Sequence, residues 1–160
     1  MRKIILTGLL FLFTLAGFTQ KQVENGTIYI SHPYIDIVNN TVKAYLDKDM
    51  ATNAKIYSDT AKWWVSGMEK PMPIAEAFKE WLSDFDYYND IKVTKVGYPD
   101  YLHYKDKDQK YVQSWWQWHG TSKKTGEAVK IDFVQFDSFN SDGKIDNEGI
   151  YGDFSKLVKK

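Results

Sequence analysis

The stretch Tyr111-Val-Gln-Ser-Trp-Trp-Gln-Trp-His-Gly-Thr121 holds three of the six tryptophans of the chain and has the alternation of a β-strand. Successive strand side chains point to opposite faces. Val112, Ser114, Trp116, Trp118 and Gly120 therefore share one side, and Gln113, Trp115, Gln117 and His119 the other. This is the pattern expected of the central strand of a curved sheet. One face must pack, and the other must use a tryptophan, a histidine and two amides. Whether that second face lines a ligand pocket or is a covered surface is left open by the alternation alone.

Working outward, the turn 122–127 separates this strand from a second alternating run over 128–138. There Val129, Ile131, Phe133 and Gln135 share a face, and Lys130, Asp132, Val134 and Phe136 oppose them. Asn140-Ser-Asp-Gly143 is a hairpin signal, followed by a strand over 144–151 and a short terminal helix from about Phe154. Upstream, 91–96 alternates, Pro99 interrupts, strand character resumes over 101–104, and 105–110 is a charged, solvated turn. The first half has a different period. Ile35, Val38, Val42, Tyr45 and Leu46 recur at helical spacing behind Pro33, predicting a helix over 33–47. Asp49 caps a second, short helix, 61–65 is a brief strand, and Pro71 and Pro73 open a third helix over 74–85. Helices first and strands afterwards give an α+β domain with helices on one face of an antiparallel sheet.

The chain of 160 residues, 43% hydrophobic and 16% aromatic, is long and apolar enough for one sizeable core. Arg2 and Lys3 precede an apolar run over 4–13 and a stretch of small and polar residues, the layout of a secretory signal peptide. The expected organisation is thus a signal peptide over 1–19, a polar leader over 20–32 and one domain over 33–160, exported to the periplasm or beyond. That run is too short for a confident membrane anchor, and no membrane anchor is expected after processing. Without the first twenty residues 19 basic side chains face 21 acidic ones, which excludes the basic excess of a nucleic-acid-binding protein. There is no cysteine, so packing alone holds the fold.

Three local motifs and the order of elements resemble the nuclear transport factor 2-like superfamily, which includes the SnoaL-like polyketide cyclases and ketosteroid isomerases. They are Tyr57-Ser-Asp-Thr-Ala-Lys-Trp63, Trp118-His-Gly-Thr121 with Gly126 closing its hairpin, and Asp142-Gly-Lys-Ile145 followed by Tyr151-Gly-Asp153. The resemblance covers about 34–158. It implies a cone: a strongly curved antiparallel sheet wrapped around the N-terminal helices, of cystatin-like or nuclear transport factor 2-like type, with a pocket on the concave side. In the isomerases the general base is an aspartate just after the first strand. The matching neighbourhood here, Trp64-Val65-Ser66, has no carboxylate, so that mechanism does not carry over.

The remaining acid/base candidates lie on the late strands. His119 titrates near neutrality, and Asp132, if its face is concave, is a buried carboxylate suited to acid/base work. A strand-end histidine bonded to backbone and an outward aspartate beside Lys130 are the plain alternatives. Tyr57, Trp64, His103, Trp116, Trp118 and Glu148 are the candidate ligand-binding residues, since amphipathic rings line pockets for flat or cyclic molecules. The competing reading of these aromatics is a large core plus a homodimer contact through the sheet. Three histidines and no cysteine do not suggest a metal site, and the 138–149 segment lacks the closing glutamate of a calcium loop. No cofactor is expected. The leading expectation is a pocket for a small apolar or cyclic molecule. The rivals are an acid/base enzyme of the cyclase or isomerase kind acting on a cyclic carbonyl compound, and a non-catalytic interaction module.

Overall fold

A computed structural model describes residues 23–157. The segment expected to be a signal peptide lies outside the described residues. In chain order the elements are β1 (Gly26–Tyr29), α1 (Pro33–Leu46), α2 (Met50–Ile56), β2 (Tyr57–Val65), β3 (Met72–Pro73), α3 (Ile74–Tyr87), β4 (Tyr88–Lys95), β5 (Asp100–Tyr104), β6 (Gln109–Ser122), β7 (Ala128–Phe139) and β8 (Ile145–Gly152).

The tryptophan stretch is β6, the longest strand at 14 residues, and its alternation decides the face. Val112, Ser114, Trp116, Trp118 and Gly120 are all buried, while the residues between them are only partly so. The valine–tryptophan side is therefore the concave, packed one. β6 is long enough to be shared: β5 pairs with its first third and β4 with its last half, end to end on one side, while β7 pairs along the other. The break between β4 and β5 falls at Gly97, whose φ of +83° suits a residue without a Cβ. The strands form one sheet in the order β1-β5-β6-β7-β8-β2-β3. Its pairing is antiparallel except for β2 beside β8, which is parallel. That departure from an all-antiparallel sheet is invisible locally, because the two strands are joined by most of the domain rather than by a turn.

The helices cover the concave face. α1 starts at His32, whose Nδ1 accepts from Tyr34 N at 3.2 Å, with Pro33 at the first helical position. Its Ile35 and Val38 pack with Ala61, Val112, Trp116 and Ile145, and Ile74 and Ala77 of α3 join the same cluster. A second cluster, Tyr45, Tyr88, Trp118 and Ile131, continues the core toward the other end of α1. α2 is capped as expected, Asp49 Oδ1 accepting from Thr52 N at 3.0 Å.

Three local expectations are corrected. The polar leader contains β1, which pairs with β5; its four residues are largely exposed, so neighbouring backbone and not a hydrophobic pattern makes it a strand. Pro71 and Pro73 do not simply open α3: Met72–Pro73 first pairs with β2 as β3. The helix expected from Phe154 is absent among the described residues. Asp153 Oδ1 accepts from Ser155 N at 3.1 Å, and the chain turns, with Leu157 N bonded to Phe154 O at 3.0 Å.

Candidate active site

Between α1, α3 and the concave sheet lies a cavity of about 370 Å3, within reach of Phe154 and Leu157 from the C-terminal tail. Its volume suits a small organic molecule. The apolar part of the wall includes Trp63, Trp81, Trp118, Phe133 and Ile150. Trp81 meets Tyr57 and Trp63 edge-on, both at 6.1 Å between ring centres, so the rings brace one another.

Set in that wall is Glu148 of β8, 4% exposed. It is directly opposite Asp137 of β7, itself fully buried, in the antiparallel register. The Tyr57 hydroxyl donates to Glu148 Oε2, and Gln135 Nε2 donates to both oxygens of Asp137 at 3.0 and 3.1 Å. Burial raises both carboxyl groups, because neither charge is hydrated. For Asp137 the charge of Glu148 adds to the rise, and the carboxylic acid of Asp137 donates to the Glu148 carboxylate. Glu148 is pushed up to about 7, held from going higher by the donors Tyr57 and Asp137. The two groups thus share a proton near neutral pH, with Glu148 the member facing the cavity. The Trp63 indole, on the strand beside Glu148, also favours the charged form, although its Nε1 has no hydrogen-bond partner of standard geometry.

Tyr57 itself is fully buried and its hydroxyl is raised far above the ordinary phenol range, first by burial and then by the Glu148 charge. It is a fixed donor. A hydrogen bond to a charged group contributes about 1.5–3 kcal/mol, enough to move a protonation equilibrium about tenfold or more. Tyr57→Phe is therefore expected to raise the Glu148 titration midpoint above its present value. Difference infrared spectroscopy of the protonated carboxyl stretch across pH reads this directly; an unmoved midpoint contradicts it.

A second polar chain reaches the cavity from the helices. The Trp118 indole N–H donates to Tyr45 Oη at 3.0 Å, and Tyr45 donates to Asp84 Oδ2 at 2.8 Å. Tyr45, Asp84 and Glu80 all line the cavity.

Of the residues singled out from the sequence, Tyr57, Trp118 and Glu148 meet at this cavity. Trp116 is buried on the same face but lies in the core beneath α1, its indole N–H bonded to Ser114 Oγ at 2.7 Å. Trp64 points the other way from Trp63; its N–H donates to Met68 O and its ring meets Tyr151. His103 sits near the end of β5, paired with Thr27 of β1 and Lys110 of β6, and is bonded to Asp108 at 2.5 Å. His119 and Asp132 lie on the convex side of the sheet, linked through Gln117: Gln117 Nε2 donates to Asp132 Oδ1 at 2.5 Å, and Gln117 Oε1 is 2.6 Å from His119 Nε2. Asp132 is exposed, so its face is not the concave one. Asp137, Gln135, Asp84 and Tyr45 were not singled out as site residues. Asp137 continues the period-two set of Val129, Ile131, Phe133 and Gln135, and extending that alternation by one step identifies it.

No family model and no curated protein matches the chain. Among solved structures it is similar to IdmH, a proposed polyketide cyclase from Streptomyces antibioticus, with a TM-score of 0.65, 14% identity, and 79% of this chain and 96% of that one covered. A nuclear transport factor 2-like protein of unknown function from Burkholderia pseudomallei gives a TM-score of 0.60 at 10% identity, covering 81% and 97%. A protein with a ketosteroid isomerase-like fold from Catenulispora acidiphila, solved with trimethylamine, gives 0.58 at 12% identity, covering 77% and 89%. The chain has the nuclear transport factor 2-like fold that its motifs resemble.

Proposed function

We propose that this protein is an acid/base enzyme that binds a small, largely apolar carbonyl compound in its cavity and moves a proton on it through Glu148. The observation that carries this reading is a buried carboxyl group in an aromatic cavity wall, titrating at about 7. A general base is most effective when its pKa lies near the working pH. The Glu148 carboxylate takes a proton from the carbon beside the carbonyl, and the electron pair moves onto the carbonyl oxygen. Return of the proton to the same carbon is exchange and its return to the far carbon of a conjugated enolate is isomerisation; in a ring closure the enolate carbon instead bonds to a second carbonyl carbon of the same molecule, the π-pair of that carbonyl moves to its oxygen, and Glu148 gives its proton there. Asp137 positions and tunes Glu148 from behind and is not a contact to the substrate. The Trp63 indole, on the strand beside Glu148, stabilises the carboxylate form of the base. The ligand-binding part of the reading is supported by the fold, one of whose solved members holds trimethylamine.

Proton–deuterium exchange on a panel of cyclic ketones in heavy water, followed by NMR, tests the reading. The expected result is catalysed exchange that rises with pH through a midpoint near 7. Saturable quenching of tryptophan fluorescence without exchange indicates a binding protein instead. The absence of both exchange and quenching overturns the proposal.

A further inference from the structure

The inward-facing row of β8 ends in a position without a side chain. From Glu148 the alternation runs through Ile150 to Gly152, in unbroken register with Asp137, Gln135 and Phe133 of β7. A strand rise of about 3.3 Å per residue puts roughly 13 Å between Glu148 and Gly152. The ring of Phe154 fills the place that Gly152 leaves: a Cβ built there would lie 3.0 Å from Phe154 Cε2 and 2.9 Å from Phe133 Cβ. β8 stops at Gly152, and the chain leaves the sheet through the turn that Asp153 caps. Asp153, Ser155 and Lys156 are exposed, whereas Phe154 and Leu157 are half-buried and line the cavity. Phe154 meets Phe133 at 6.0 Å between ring centres, and Phe154 and Leu157 both pack against the cluster of Trp118 and Ile131. Among the described residues the hydrogen bonds of 153–157 are local to that turn, so two apolar side chains hold the tail on the cavity.

We infer, resting on the reading of Glu148 as the base, that Phe154 and Leu157 are specificity-determining residues that set the length of the substrate. One row of β8 presents the base at one end and the tail at the other. A molecule whose carbonyl faces Glu148 therefore lies along Ile150 and ends against the Phe133–Phe154 pair. The Glu148 end cannot recede to admit a longer molecule, because Tyr57 and Asp137 hold it within the sheet. The tail end has no ladder bonds and is the end that yields. A molecule too short to reach the rings forgoes about fourfold in affinity for each methylene left unburied. One too long must displace Phe154 and Leu157 and expose them. Reactivity and length selection thus reside in separate parts of the cavity wall, and one can change without the other.

The test uses cyclohexanones bearing a methyl, propyl, pentyl or heptyl chain on the ring carbon opposite the carbonyl. Each is titrated against the intrinsic fluorescence of the protein, whose Trp63, Trp81 and Trp118 line the cavity. In the wild type affinity is expected to rise with chain length to a maximum at propyl or pentyl and then to drop. In the Phe154→Ala, Leu157→Ala double variant the maximum is expected to move to the next longer chain, with the heptyl-to-propyl affinity ratio rising at least tenfold. Phe154→Trp, a larger ring in the same place, should move the maximum to a shorter chain and serves should the double variant lose its native circular dichroism. Val42→Ala enlarges the same cavity from α1, in the other apolar cluster, and should leave the maximum where it is. No maximum in the wild type, a maximum unmoved by the tail variants, or one moved equally by Val42→Ala overturns the role of the tail while leaving Glu148 as the base. If the maximum moves as expected but no variant or wild-type protein exchanges ketone protons, length selection stands and the acid/base role falls. If none of the ketones binds, both fall.

Discussion

Glu148→Gln is expected to abolish proton transfer and, at the same time, to make the protein more stable at pH 8. The first half follows from the base itself. Gln has no proton-accepting group of useful basicity, and loss of general base catalysis lowers a rate by about a hundredfold to ten-thousandfold. The second half follows from linkage. Glu148 titrates at about 7 in the folded chain against an ordinary 4.5. Its raised folded value means that its contribution to stability is fully present below about 4.5 and is lost as pH rises through about 7. Tenfold in proton affinity is about 1.4 kcal/mol, so an ionised Glu148 lowers stability by on the order of 3 kcal/mol. Asp137, raised as well, acts with the same sign. Gln keeps an acceptor for Tyr57 but carries no charge to desolvate, so the variant escapes this loss. Denaturant midpoints at pH 4, 6 and 8 decide it: the wild type should weaken across the series, and the variant should overtake it toward pH 8. A pH-independent wild type, or a variant less stable than wild type at pH 8, refutes the account.

The second large effect is structural and concerns Trp118. Its ring is 6% exposed, meets Tyr88 edge-on at 5.2 Å, and donates its N–H to Tyr45. It also folds over the next residue on its own face. A Cβ built on Gly120 would lie 2.4 Å from the indole, closer than any real contact. Trp118→Ala removes the ring, enlarges an existing cavity and leaves the Tyr45 hydroxyl without its donor, for a loss of about 3–5 kcal/mol. That is a large share of the roughly 5–15 kcal/mol that holds a domain together. Gly120→Ala alone should lose about 1–3 kcal/mol through overpacking. In the Trp118→Ala background, however, the added methyl group meets no ring and should be nearly neutral. A double-mutant cycle by urea denaturation measures that coupling, and simple additivity of the two losses excludes the proposed contact.

These two residues also mark what the sequence makes legible. Trp118 is reached by counting. A strict period of two over β6 puts it beside Val112 and Trp116 on a single face, and the observed burial of that face, not the alternation, identifies it as the inner one. Helices α1 and α3 are recovered for the same reason, from the 3.6-residue period of their apolar residues. Glu148 is harder. Ile145 and Glu148 both point inward although they are three positions apart, because Asp146 is an extra residue opposite the Ser138–Phe139 step of β7. Regular alternation from Ile145 would turn Glu148 outward. Its burial can be inferred only once the pairing with β7 is known. The cavity poses a further problem: Tyr57, Trp81, Asp84 and Glu148 come from three separate elements, and their meeting is a property of the curved sheet and not of any local pattern. His119 and Asp132 attract attention by residue type, but their parity puts them on the convex side.

The bulge at Asp146 also bears on how such a chain changes over evolutionary time. A single-codon deletion there would restore even pleating in β8 and keep the acid inward, two residues from Ile145 and still opposite Asp137. The short hairpin that begins at Asn140 and precedes the bulge lies at the surface, where a length change is most readily tolerated. The extra residue can therefore be lost without moving the acid, and a comparison by residue number alone would misalign β8 by one position.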